Sequence, residues 1–132
     1  MDELHAVSDM LYGPAQPMSG SAMTNEQALA LMQSRRLMTG YCLVRDWQWL
    51  DLDVTDEQRA LLEKTRRQPA IIYAHTVIYD SARRWDVGDF VRTSPLVSFD
   101  DGFLFRTLNS VYVLLGDGLR KRADLETVGR IF

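Results

Sequence analysis

Leu96-Val97-Ser98-Phe99-Asp100-Asp101-Gly102-Phe103-Leu104-Phe105-Arg106-Thr107 is the stretch whose reading decides the fold. Two short runs with β-branched and aromatic residues flank Asp100-Asp101-Gly102, and the glycine stands where a tight hairpin needs a left-handed backbone. The same grammar extends in both directions. Residues 71–79 carry Ile, Tyr and Val on both faces, as a central strand does. Asp80-Ser81-Ala82 begins a turn, residues 87–93 read as a further strand, and Ser94-Pro95 stops it. After the hairpin, Leu108-Asn109 turns the chain into residues 110–115, and Gly116-Asp117-Gly118 is expected to turn it again. Residues 123–132 read as a terminal helix, with a last strand as the other option.

Upstream, two helices announce themselves by capping boxes. In Thr24-Asn25-Glu26-Gln27 and again in Thr55-Asp56-Glu57-Gln58, the Thr hydroxyl can accept from the Gln backbone N–H while the Gln side chain reaches back. The first helix should end before Gly40. The second should end near Arg67, with Lys64, Arg66 and Arg67 in its last turn and Pro69 forbidding continuation. Between them, residues 41–52 read as a strand, in which plain alternation puts Leu43, Trp47 and Trp49 on one side. Cys42, Val44, Leu50 and Leu52 fall on the other, with Asp46 and Gln48 interrupting that face. Residues 1–12 could form a short amphipathic helix stopped by Gly13-Pro14, followed by a Gly/Pro/Ser-rich linker to Ser21.

The expected architecture is therefore α+β: an antiparallel β-meander, either open or curled into a small barrel-like sheet, with two short helices packed on it. Residues 1–22 form an N-terminal arm and linker. Residues 23–132 form a single domain whose β-rich half is 71–122. A chain of 132 residues with 46% hydrophobic and 25% charged residues fits one domain and excludes wholesale disorder. Its longest apolar run, residues 111–115, is far short of the roughly 18 needed to span a bilayer, and no secretory leader pattern is present. The lone Cys42 sits in an apolar stretch and reads as a buried, inert thiol, which suits a reducing cytoplasm.

Motifs for chemistry are weak. Asp51-Leu52-Asp53-Val54-Thr55 at a strand end resembles the nucleophile loop of haloacid-dehalogenase-type phosphatases, but that fold needs parallel strands and crossover helices after the motif. Thr55 is better explained as a helix cap. The two histidines, His5 and His75, are far apart and lack cysteines at ligand spacing, so no metal site is expected. Gly116-Asp117-Gly118 lacks the lysine of a phosphate-binding loop. No cofactor and no catalytic residue is assigned.

Candidate binding residues are easier to name. Arg83, Arg84 and Trp85, in a connection between strands, suit stacking on a base or contact with a carboxylate-rich protein surface. Arg120, Lys121 and Arg122 follow a turn and could meet a phosphate backbone, although the net charge of −3 argues against a general nucleic-acid coat. Trp47 and Trp49 lie among acids that could present a carboxylate-rich face to a basic protein.

The segments Tyr73-Ala74-His75, Asp80-Ser81, Arg84-Trp85, Val87-Gly88-Asp89-Phe90-Val91-Arg92-Thr93-Ser94-Pro95-Leu96, Gly102-Phe103-Leu104-Phe105 and Val111-Tyr112-Val113-Leu114-Leu115-Gly116 form a pattern together with Arg120-Lys121-Arg122. With residues 44–53 upstream, it resembles an uncharacterised family of small proteins from pseudomonads and their phages or prophages. The resemblance implies a bacterial cytoplasm and an accessory role on a mobile element, and it supplies no catalytic residues. The leading expectation is a non-enzymatic protein-interaction module that inhibits or regulates a host or defence component. The partner is then a protein, no membrane is involved, and a homodimer is compatible. A nucleic-acid-associated regulator and an enzyme of unrecognised type are the alternatives.

Overall fold

The computed structural model describes residues 15–35, 37 and 39–124. The helix expected over residues 1–12 lies outside them, as do residues 125–132. The fold is α+β, with eight strands and two helices among the described residues. In chain order these are β1 (Gln16–Ser19), α1 (Asn25–Ser34), β2 (Gly40–Asp53), α2 (Asp56–Glu63), β3 (Ala70–Asp80), β4 (Val91–Arg92), β5 (Ser98–Asp100), β6 (Leu104–Arg106), β7 (Ser110–Leu114) and β8 (Asp117–Asp124).

Both capping boxes form. Thr24 Oγ1 accepts from the Gln27 N–H at 3.1 Å and Gln27 Oε1 from the Thr24 N–H at 2.9 Å; Thr55 and Gln58 repeat the pair at 3.1 and 2.9 Å. The helices then differ. α1 buries Ala28 and Met32 against the sheet, whereas α2 buries no residue and leaves Leu61 61% exposed. α2 also stops early. Arg67 N–H donates to the Leu62 carbonyl and Arg66 N–H to the Glu63 carbonyl, with Arg66 at φ 58°, which is a Schellman closure with arginine in the glycine position. Lys64, Arg66 and Arg67 therefore lie beyond the helix and not in its last turn.

β2 organises the sheet. One edge pairs antiparallel with β3 from Cys42 to Asp51. Its other edge pairs in parallel with β7 over Gly40 to Val44 and then with β8 over Gln48 to Asp53. The sheet is thus mixed, a correction to the purely antiparallel meander. The reason is Gly116-Asp117-Gly118, which jogs the chain sideways without reversing it, so β7 and β8 run the same way along β2. Between Val44↔Leu114 and Gln48↔Leu119 the β7–β8 side gains one residue on β2. The stretch read as a linker fills that break: β1 pairs antiparallel with β8, and Ser21 bridges to Leu115 through its N–H to the Leu114 carbonyl at 2.9 Å.

On the β3 side the sheet curls round. β4 pairs with β3, and the chain continues along β3 with Thr93 N–H on the Ile72 carbonyl and Leu96 N–H on the Ala70 carbonyl, both at 2.9 Å. It then becomes β5, which pairs with β6, which pairs with β7 and so returns to β2. The result is a curled half-barrel. The hairpin that opened the reading is present, with Asp101 and Gly102 at φ 57° and 79°. The strand expected over residues 87–93 shrinks to Val91–Arg92, because residues 81–90 form the connecting loop.

Plain alternation fails on β2, at one residue. Asp46 has φ 53° and interrupts the ladder between Arg45↔Thr76 and Trp47↔Ala74. Its left-handed backbone shifts the side-chain phase of β2 without changing the register, whereas the register shift of this ladder lies between Leu43 and Val44, where Ile78 of β3 is the extra residue. Cys42, Val44, Trp47 and Trp49 consequently share the concave core with Ile72, Val77, Phe105 and Leu114. Leu43 packs under α1 with Val111, Val113 and Leu115, while Leu50 and Leu52 join Ile71, Tyr73 and Ala123 on the convex face. Left-handed backbone costs an ordinary L-residue roughly 1–2 kcal/mol, and Asp, Asn and Gly much less. Urea unfolding should therefore show Asp46→Ala destabilised by about 1 kcal/mol with Asp46→Gly near wild type; equal values for the two would remove the left-handed kink from the account.

Candidate functional site

The concave core is closed at two places by the same device: an arginine laid on a tryptophan and held by an aspartate. At the β2–β8 end, Arg120 sits 5.1 Å from the Trp49 ring centre and donates to Asp51 through Nε at 2.7 Å and Nη2 at 3.1 Å. Trp49 Nε1 donates to the same carboxylate at 3.1 Å. Register makes this possible, because Trp49 faces Arg120 and Asp51 faces Arg122 across the parallel ladder. Arg122 pairs with Asp53 one step further along. Both carboxylates of the phosphatase-like motif are thus tied to arginines, while Thr55 caps α2.

At the end of β3, Arg84 lies 4.4 Å from the Trp85 ring centre and forks onto Asp80, with Nη2 to Oδ1 at 2.8 Å and Nε to Oδ2 at 3.1 Å. Its backbone N–H adds a third bond to Oδ2 at 2.6 Å, and Nη1 donates to the Ser110 hydroxyl at the start of β7. Trp85 packs against the core beside Tyr112. Burial of the Asp80 carboxyl pushes its pKa up, but the Arg84 side-chain and backbone hydrogen bonds and the Arg84 charge together outweigh burial and hold it below the usual carboxylate range. Nearby Cys42 is pushed up to about 12, first by burial and then by the Asp80 charge, so its thiol is no nucleophile at neutral pH.

Of the sequence-derived binding residues, Arg84, Arg120 and Arg122 are engaged with aspartates, and Trp47 and Trp49 are buried. Arg83 is exposed, Lys121 is half-buried and Trp85 is half-buried. The structure does not bring the two basic groups together; they close different parts of the core.

What reaches solvent is a different set. On the convex face five strands align residues in one row, Pro17–Leu119–Gln48–Tyr73–Arg92, by the pairings of β1, β8, β2, β3 and β4; Gln48 and Tyr73 at its centre are buried, and Pro17, Leu119 and Arg92 are exposed. Tyr73 meets His75 edge-on, with ring centres 4.8 Å apart, and Phe90 at 6.1 Å. Phe90 is 53% exposed, Leu119 39% and Val87, in the same loop as Phe90, 76%. Beside the row lies an open concavity of about 460 Å³ that includes Asp46, His75, Asp117 and Leu119. Sequence reasoning passed over these residues. The available signal was Asp46, a charge interrupting an apolar strand, which marks its left-handed kink.

Among the described residues, no group of three or more His, Cys, Asp or Glu side chains could hold a metal ion, and no helix is long and apolar enough to cross a membrane. Fold and surface define a small α+β half-barrel with the exposed apolar residues Val87, Phe90 and Leu119 at its convex side. Residues 19–130 match the family described as a domain of unknown function (DUF6957), and the chain belongs to that family. No curated protein and no solved structure matches it.

The Asp80 linkage has a definite sign. A carboxyl held low in the folded state contributes stability that is complete above its unfolded pKa and lost as pH falls through the folded one. Asp80→Asn should cost about 2–4 kcal/mol at neutral pH, since it leaves a partly buried guanidinium unpaired. The variant's stability should also fall less steeply than wild type between about pH 5 and pH 2, measured by urea unfolding at several pH values. Parallel pH profiles would show that the pair is not a source of acid lability.

Proposed function

We propose that this chain is a small non-enzymatic protein-interaction module and that it binds its partner through the convex face around Leu119, Val87 and Phe90. One observation carries the reading. The charged groups best suited to outside ligands are turned to internal use, with Arg84, Arg120 and Arg122 on Asp80, Asp51 and Asp53, while large apolar side chains at Val87, Phe90 and Leu119 are left in water. Exposed apolar groups in a polar setting are the composition of contact surfaces. The same pairing weighs against nucleic-acid binding, because arginines already neutralised by carboxylates release few counterions on meeting phosphate. The sequence resemblance supplies the setting: a bacterial cytoplasm, a phage or prophage accessory role, and a host or defence component as the thing inhibited or regulated.

Tagged chain purified from its native host should carry a stoichiometric protein, identified by mass spectrometry. Phe90→Ser and Leu119→Ser, both at exposed positions, should keep the thermal midpoint within a few degrees and weaken that complex by about tenfold or more each, as truncation of contact anchors does. Retention of the partner at full affinity by both variants would move the contact elsewhere; absence of any partner would refute the module reading.

A further inference from the structure

We infer that Arg84 is the positioning residue of the contact loop: its clamp on Asp80 and Ser110 holds residues 81–90 in the arrangement that displays Val87 and Phe90. The inference deepens the interaction reading and rests on it for what the display serves. The loop straddles the edge of β3. On the concave side Trp85 packs against the core beside Tyr112, with the Arg84 guanidinium on its ring. On the convex side Phe90 lies against Tyr73. Between them the loop backbone is pinned to one residue of β3, with Gly88 N–H on the Val77 carbonyl and Val77 N–H on the Asp89 carbonyl, both at 2.8 Å.

Residues 86–89 form a tight turn inside this frame. Asp89 N–H donates to the Asp86 carbonyl at 3.1 Å, and Asp89 Oδ2 accepts from the Asp86 N–H at 2.9 Å. Gly88 has φ 93°, the left-handed backbone that the third position of such a turn requires, and Val87 stands exposed at the second. An apolar side chain held in water on a backbone fixed from both sides is a preorganised contact, spared the ordering cost that a free loop meets on binding. The two fastenings are unequal. Val77 contributes two bonds between neutral backbone groups. Arg84 contributes two side-chain bonds and one backbone bond to the fully buried Asp80 carboxylate, and a further bond to the buried Ser110 hydroxyl. Hydrogen bonds to an ionised partner are roughly twice as strong as neutral ones, so the clamp is the stronger fastening.

Amide hydrogen exchange on the full chain, with no partner present, reads the clamp directly. Arg84→Lys keeps a cation beside Asp80 but loses the fork and the Ser110 bond. In that variant the Val77 and Gly88 amides should exchange at least about tenfold faster, through an opening that low urea does not accelerate. The Leu115 amide, bonded to the Val44 carbonyl outside the loop, should change only through global, urea-sensitive unfolding. Ser110→Ala, a smaller change, should raise the loop rates about threefold with the unfolding midpoint near wild type. Wild-type loop rates in both variants, or a rise that only follows Leu115 and urea, would overturn the inference, because Arg84 would then serve overall stability alone. The complex recovered from the host separates this inference from the reading beneath it. Arg84→Gln removes the cation, should leave the loop largely open and should weaken that complex about tenfold, with Arg84→Lys falling between it and wild type. Wild-type affinity in a folded Arg84→Gln overturns the inference and leaves the interaction reading standing, provided that Phe90→Ser still weakens the complex. If Phe90→Ser and Leu119→Ser leave the complex intact as well, the convex-face reading fails with it.

Discussion

The Trp47 indole occupies a notch that only glycine can line. A methyl group at Gly118 would overlap the ring carbons of Trp47, and one at Gly20 would collide with the Leu114 and Gly116 carbonyls and touch the same ring. The indole N–H donates to the Leu115 carbonyl at 3.2 Å, so a ring buried to 1% has its single donor satisfied. The contact sits where β2 changes partner from β7 to β8 and where β1 is drawn in to fill the break. Remove it, and nothing specifies how β7 and β8 share one edge of β2. The steric demand is severe because protein cores are packed at crystal-like density and cannot yield a carbon's width.

From that notch the remaining geometry follows in order. Asp46, beside Trp47, takes the left-handed conformation that lets Cys42, Val44, Trp47 and Trp49 all point into the concave core. The phase change divides the convex side of the sheet. Before Asp46, Leu43, Val111 and Val113 lie under α1; after it, Leu50, Ile71 and Tyr73 form a separate layer. Arg45 ties the two regions, donating through Nε to the Asn25 side chain at 2.8 Å at the start of α1. Leu119 and the concavity beside Asp46 lie at this junction, so the same local geometry serves the packing of the sheet and shapes its convex surface.

Much of this was legible in the sequence and some was not, for separable reasons. Capping boxes and the Asp101-Gly102 hairpin are local, so Thr24, Thr55 and Gly102 could be read directly. Strand partners are not local. Nothing in Gly116-Asp117-Gly118 distinguishes a reversal from a sideways jog, and the outcome depends on Trp47 some seventy positions away, a contact that no local pattern reports. Gln16-Pro17-Met18-Ser19 looks like linker because it carries proline and little apolar bulk, yet an edge strand tolerates both. The basic groups were visible as sequence clusters, but their neutralisation required Asp51 and Asp53 to stand beside Arg120 and Arg122 across a parallel ladder. The patch itself was illegible because Leu119, Phe90 and His75 belong to three different strands or loops.

A double-mutant cycle on Trp47 and Gly118 tests the central contact most directly. In the wild-type background, urea unfolding should show Gly118→Ala destabilised by about 2–3 kcal/mol, the cost of overpacking a tight core. In a Trp47→Leu background, where the ring is gone, the same change should cost less than about 0.5 kcal/mol, giving a coupling near 2 kcal/mol. Equal costs in the two backgrounds would mean that Gly118 and Trp47 act independently, and the notch would not be what sets the sheet.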